Sequence, residues 1–279
     1  MTSIWHYAFV QHALLAGAIV AVVAGCVGPL VVLRNMAFAV HGVAEIGFTG
    51  AAGALLLGVS PNLGLLAFTL AAAAVMGLLG ERVRERDVAV GATLAFGLGV
   101  GVLLLSLYAR YATQAFGLLF GTILGISRAD VVFSAAVGLV CLLALAAIYR
   151  PLRFASVDAE LAAARGVPLR LVSAGFMLIL AFAVAEAVQV VGVLLLLTLL
   201  ISPAAAAERL TPDPAWAMVL SVCIALVCTL GGLSCALYIP WPVSFFVSAL
   251  SFAAYLGARL VGPALAVRQR RAAAGRAPA

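Results

Sequence analysis

An all-α polytopic membrane protein with about nine (eight to nine) crossing helices is the fold class this sequence predicts, on three observations. Hydrophobic residues make up 66% of the 279 positions and charged residues only 9%, where a soluble domain carries roughly 25% charged residues. The apolar residues fall into runs that approach or exceed the ~20 residues needed to cross ~30 Å of hydrocarbon. The 16 basic residues are all arginine, and they concentrate between the runs. A water-soluble fold of this length could not cover its surface with so few charges.

The first run covers 9–33. No positive charge precedes it, and it exceeds the roughly 7–15 residues of a signal-peptide core, so a permanent first helix is expected. Further spans are expected at 37–59, 63–80, 88–109, 131–149, 169–187, 188–207, 216–239 and 242–262. The boundary between the sixth and seventh is the weakest, because only Glu186 and Gln189 interrupt the run. Eight spans stay open if one of those two pieces is a partial helix. The chain reads as one transmembrane unit over 1–279, with spans over about 9–262 and a basic tail at 263–279.

Short cytoplasmic loops carry the positive excess. With nine spans and the amino terminus outside, the carboxyl terminus lies inside. The cytoplasmic side then collects Arg34, Arg82, Arg84, Arg86, Arg150, Arg153, Arg165, Arg170, Arg209, Arg268, Arg270, Arg271 and Arg276. Arg259 sits near the inner end of the last span, and only Arg110 and Arg128 fall outside.

Two connections are longer than turns. The external stretch 111–130 contains an apolar piece, 116–126, too short to span, which reads as an interfacial or re-entrant helix. Ser127 and Asp130 then give an S-x-x-D start signal for the fifth span. In the cytoplasmic stretch 150–168, Ser156 can cap a helix, and Asp158 and Glu160 fall in a first turn that favours acids. Arg165 falls in the last turn, Gly166 can take a left-handed stop, and Pro168 forbids continuation. A helix of two to three turns outside the membrane, over 156–166, is one reading; an ordinary structured loop is the other.

Several chemistries are excluded. The three histidines, His6, His12 and His41, form no H-E-x-x-H pair, so a zinc protease of that type lacks ligands. Without lysine there is no Walker A loop, and any ATP hydrolysis must come from another subunit. The arginines are not interleaved with aromatics as a nucleic-acid surface requires. The cysteines Cys26, Cys141, Cys223, Cys228 and Cys235 lie in apolar runs without C-x-x-C spacing and read as small packing residues.

His41 and Glu45 stand out. Four residues apart on a helix, they share one face. Eleven residues beyond Arg34, Glu45 lies ~16 Å deep, near the bilayer midplane. An acid there costs about 3 kcal/mol on the lenient insertion scale and should face a cavity or a partner. Imidazole plus carboxylate suits zinc, manganese or ferrous iron, and the alternative is a mutual hydrogen bond that fixes helix packing. Glu186 has two readings, an intramembrane functional acid or the start of a solvated turn with Gln189. Gly25–Pro29 and Ser202–Pro203 mark kinks or close helix contacts.

Several segments together resemble the ABC-type metal-ion permeases that take up zinc, manganese or iron in bacteria. Arg34–Asn35–Met36 with the following helix over 41–50 resembles that family's second-span motif. The stretch 118–124, Leu-Leu-Phe-Gly-Thr-Ile-Leu, resembles its L-L-F-G-x-I-L segment, and 158–168 resembles its cytoplasmic coupling helix. The stretches 191–195 and 199–205 resemble its next apolar motif. The likeness runs in order over roughly 9–260.

This resemblance implies a permease subunit of an ATP-driven importer, itself no enzyme and holding no tight cofactor. It also implies two ABC ATPase subunits, an extracellular metal-binding protein and a second permease copy, identical or not, as partners. It places the transported cation at His41 and Glu45, and docking into the ATPase at Ser156, Asp158, Glu160, Leu161, Ala162, Arg165 and Gly166. The family motif carries an aspartate and a histidine at the positions of His41 and Glu45, so acid and imidazole stand here in reverse order. The competing readings are an ion-gradient transporter with Glu45 or Glu186 as proton carrier, a permease for a metal chelate, and a non-transport scaffold. No internal repeat of the kind secondary transporters show is found.

Overall fold

The computed structural model describes residues 6–79, 83–107, 117, 121 and 123–274. Among them are ten α-helices: α1 (Ala8–Leu33), α2 (Ala37–Leu56), α3 (Pro61–Leu79), α4 (Val83–Ser106), α5 (Arg128–Val157), α6 (Ala159–Ala164), α7 (Leu169–Val191), α8 (Val193–Leu210), α9 (Pro214–Tyr238) and α10 (Val243–Ala274). No strand occurs among the described residues. In lipid each backbone polar group must be satisfied within its own segment, and runs of Ala, Leu, Val and Gly do this as helices.

A helix occupies each of the nine expected ranges. Six of them, α1, α2, α5, α7, α9 and α10, are long and apolar enough to cross a membrane. The expected count of nine is thus not reached on length and apolarity; α3 and α4 carry only shorter apolar runs, 61–77 and 94–104. The chain is an all-α polytopic membrane protein.

Local chemistry sets the helix ends. Ser127 and Asp130 form a reciprocal capping box at the start of α5, as the S-x-x-D signal predicts. Asp213 accepts a hydrogen bond from the Ala215 amide, and Pro214 occupies the first position of α9. At the end of α1, Asn35 adopts φ 52°. Its amide donates to the Val32 carbonyl, and that of Met36 to the Val31 carbonyl. This is the paired closure of a Schellman stop.

The α7–α8 boundary lies at Gly192, φ 81°, and not at 187/188. Glu186 and Gln189 therefore stay inside α7. The fifth span is also longer than expected: α5 runs on through Pro151 to Val157, 30 residues in all. At 1.5 Å per residue that is ~45 Å, well beyond the hydrocarbon, so the extra turns project out of it.

α1 is central and packs on α5, α7, α8 and α9, while α2 joins α3 and α4 and meets α7 and α8. Small residues bring these helices close. A methyl group on Gly28 would strike the Leu200 carbonyl of α8, and one on Gly25 the Val222 backbone of α9. The Gly25–Pro29 segment is thus a close-contact face, as one of its two readings held. Gly50 of α2 and Gly64 of α3 meet in the same way. α5, α9 and α10 bury a third or less of their apolar windows and turn large side chains such as Val227 and Leu260 outward.

Polar clips mark the two ends of the bundle. At one, Arg34 bonds Ser156 and Ser173. At the other, Asp130 accepts from Asn62 and Gln189. The apolar piece 116–126 lies largely outside the described residues. Its described part includes a 3₁₀ turn, Ile123–Gly125, that packs on α1 with Ile123 and Ile126 buried.

Candidate cation-binding site and coupling segment

α2 carries both expected ligand residues, and Glu45 is the ninth of its twenty residues. Neighbouring helices hold the α2 backbone tightly here. The Thr49 hydroxyl lies 3.1 Å from the Glu45 carbonyl and 2.5 Å from the Gly97 carbonyl of α4, and a methyl group on Gly47 would strike Thr69 of α3. Helix α2 is thereby fixed on two sides while its acid points inward. Glu45 is 5% exposed.

His41 Nε2 and Glu45 Oε1 stand 3.8 Å apart. That is too long for a hydrogen bond. It is close to the ~3.4 Å edge between two donors that each sit ~2.1 Å from a tetrahedral cation. Two further atoms, His41 Nδ1 and Glu45 Oε2, are buried with no hydrogen-bond partner. Leaving such groups without partners costs about 1–3 kcal/mol each. No group of three or more His, Cys, Asp or Glu that could hold a metal occurs among the described residues.

The segment expected over 156–166 is resolved into two parts. Ser156 is not the cap; it lies in the last turn of α5, where its hydroxyl donates to the Leu152 carbonyl at 2.6 Å. That bond holds the hydroxyl within α5. Asp158 is the cap instead, accepting from the Leu161 amide at 2.9 Å. The helix that follows, α6, has six residues, fewer than the two to three turns expected.

Glu160 lies in the first turn of α6, Leu161 is exposed, and Ala162 is fully buried. Arg165 stacks over the Phe154 ring at 5.6 Å. Gly166 takes φ 79°, and the Gly166 and Val167 amides close on the Ala163 and Ala162 carbonyls.

Glu186 begins no solvated turn. It is fully buried, and Oε1 accepts from Ser134 of α5 at 3.1 Å. A methyl group on Gly138 would sit 3.2 Å from that oxygen, so the glycine makes room for the acid. Sequence reading missed Ser134, Ser173 and the Asp130–Gln189 bond. The signal was there for one of them: Ser134 follows Asp130 by four, on the same helical face.

The model of the ABC 3 transport family matches residues 6–262. This chain belongs to that family. Among curated family relatives, the manganese import system permease protein ScaB of Streptococcus gordonii is 32% identical over 200 residues, covering 71% of this chain and 72% of ScaB. The manganese transport system membrane protein MntC of Listeria monocytogenes is 28% identical over 235 residues, covering 84% and 81% of the two chains. Among solved structures, PsaBC from Streptococcus pneumoniae in complex with Fab matches with a TM-score of 0.85 and 26% identity. That match covers 96% of this chain and 97% of the other. Family membership makes the chain a membrane permease of an ABC transporter, as the resemblance implied.

Proposed function

We propose that this chain is the membrane-spanning permease subunit of an ATP-driven importer for divalent metal ions, manganese or zinc, in a bacterial plasma membrane. The observation that carries the reading is the His41–Glu45 pair, deep in a buried helix with an imidazole nitrogen and a carboxylate oxygen left without partners. Family membership and the manganese systems among its relatives support the same cargo. The metal is substrate here, held in passage by the two side chains.

In this reading 1–279 is a single permease domain, and α3, α4 and α8 complete nine crossings with the six longer helices. The amino terminus faces outward and the carboxyl terminus inward. The end bearing Arg34, Arg150, Arg153, Arg165 and Arg170 is cytoplasmic, and α6 with its caps docks into an ABC ATPase. A second permease copy and an extracellular metal-binding protein complete the transporter. The test is uptake of radioactive manganese by vesicles holding the assembled transporter. Uptake should require ATP and cease when the ATPase subunits are omitted. Uptake by the chain alone, driven by a proton gradient, would replace this reading with a secondary transporter.

A further inference from the structure

We propose that Arg34 passes movement from the docking segment to the helix that holds His41 and Glu45, making it a positioning residue for transport. This rests on the reading of α6 as the ATPase-docking helix. One guanidinium nitrogen donates to Ser156 Oγ at 3.1 Å, and another to Ser173 Oγ at 2.7 Å. Ser156 lies two residues before the Asp158 cap of α6, and Ser173 lies in α7, the helix that follows α6. One side chain therefore grips the chain on both sides of the docking helix. The guanidinium also lies 5.7 Å from the centroid of the Phe176 ring, which adds a cation–π contact.

The grip is chemically directed. Ser156 commits its only hydroxyl proton to the Leu152 carbonyl, so it meets Arg34 with lone pairs alone. Arginine offers a planar fork that reaches two acceptors at once, whereas lysine is a single point donor.

The other end of the link is equally short. Arg34 is the terminal cap of α1, and the closure at Asn35 and Met36 leads directly into α2 at Ala37. His41 stands one turn further on. A shift of α5 and α7 at the docking segment pulls on Arg34, and the stiff turn carries that pull into α2.

The test uses the assembled transporter in vesicles, on a chain whose native cysteines are replaced, and reads manganese moved per ATP hydrolysed. Arg34→Ala should lower that ratio at least about tenfold with ATP hydrolysis kept, a loss within the usual range of coupling energies. Arg34→Lys should recover only part of it. The paired change Ser156→Ala with Ser173→Ala keeps the arginine but removes these two acceptors, and should reproduce the loss.

Two probe cysteines, introduced separately, give a second readout. Leu161→Cys should stay shielded by the ATPase in every variant. Phe38→Cys, exposed on α2, should change its reactivity toward a thiol reagent on trapping with ATP and vanadate, and lose that response in Arg34→Ala. A normal ratio together with an intact response at position 38 would overturn the proposal. If Arg34→Ala does not assemble, the serine pair decides alone: normal coupling there overturns it. Absence of ATP-driven manganese uptake by the unsubstituted complex would instead strike the transport reading itself.

Discussion

Glu45 and His41 leave one buried polar atom each without a partner, and this sharpens what substitutions there should do. Glu45→Gln keeps size and hydrogen bonding but removes the charge that balances a divalent cation. It should cut manganese uptake at least about tenfold while assembly with the ATPase stays intact, as expected when the one anionic donor of the pair is lost. Uptake near that of the unsubstituted chain would end the ligand role. His41→Ala should likewise abolish uptake without disturbing assembly. His41→Asp with Glu45→His restores the family's usual order, and should give partial uptake with a changed zinc-to-manganese preference. These two residues were legible in the sequence because an acid and an imidazole four apart are conspicuous in an apolar run. Glu186 stayed between two readings because its burial and its bond to Ser134 of α5 join residues far apart in sequence.

At the scale of elements, the six-residue α6 depends on its two ends. Gly166 holds φ 79°, where a side chain is strained, and nothing crowds the site itself. Gly166→Ala should therefore act through backbone strain alone, destabilising the stop by roughly 1 kcal/mol and weakening coupling more than folding. Ala162 is fully buried, so Ala162→Asp places an unpaired charge under the helix and should uncouple uptake from ATP hydrolysis without preventing insertion. Unchanged uptake per ATP in that variant would return α6 to the status of a connecting loop.

The stop of α6 was legible from Gly166 and Pro168, whose roles are local, whereas its start was placed at Ser156, two residues before the Asp158 cap. The continuation of α5 to Val157 was not, because Arg150, Pro151 and Arg153 read as the end of an apolar run. Hydropathy marks where a helix leaves lipid; it does not mark where the helix ends.

Across the whole molecule, the central placement of α1 was invisible to hydropathy, which scores it much like the peripheral α5 and α9. Its glycines carry the difference. Gly28 faces the Leu200 carbonyl so closely that Gly28→Val must separate α1 from α8, an overpacking cost of about 1–3 kcal/mol. The purified variant should unfold in detergent at a lower temperature, whereas a matched change at Gly257, which faces open space, should not. The crossing number has its own measurement. Single cysteines at Asn62 and Asp158 should label from opposite sides of intact cells, Asn62 from outside. Labelling of both from one side would overturn the odd number of crossings between them, and hence the count of nine, whereas labelling of Asp158 from outside and Asn62 from inside would overturn the orientation.

The Ser134–Glu186 bond also bears on the order in which the chain is built. Ser134 belongs to α5, which leaves the ribosome before α7 and can already be seated when Glu186 arrives. An acid entering lipid without a partner is penalised by about 3 kcal/mol on insertion scales, so α7 enters most readily beside an α5 already in place. Biogenesis is thus directional: the earlier helix holds ready the hydroxyl that the later one needs. In a translation–insertion assay, α7 presented alone should insert less completely than α7 following α5, and Ser134→Ala should reduce that assistance. Equal insertion in all three would show that α7 enters on its hydrophobicity alone.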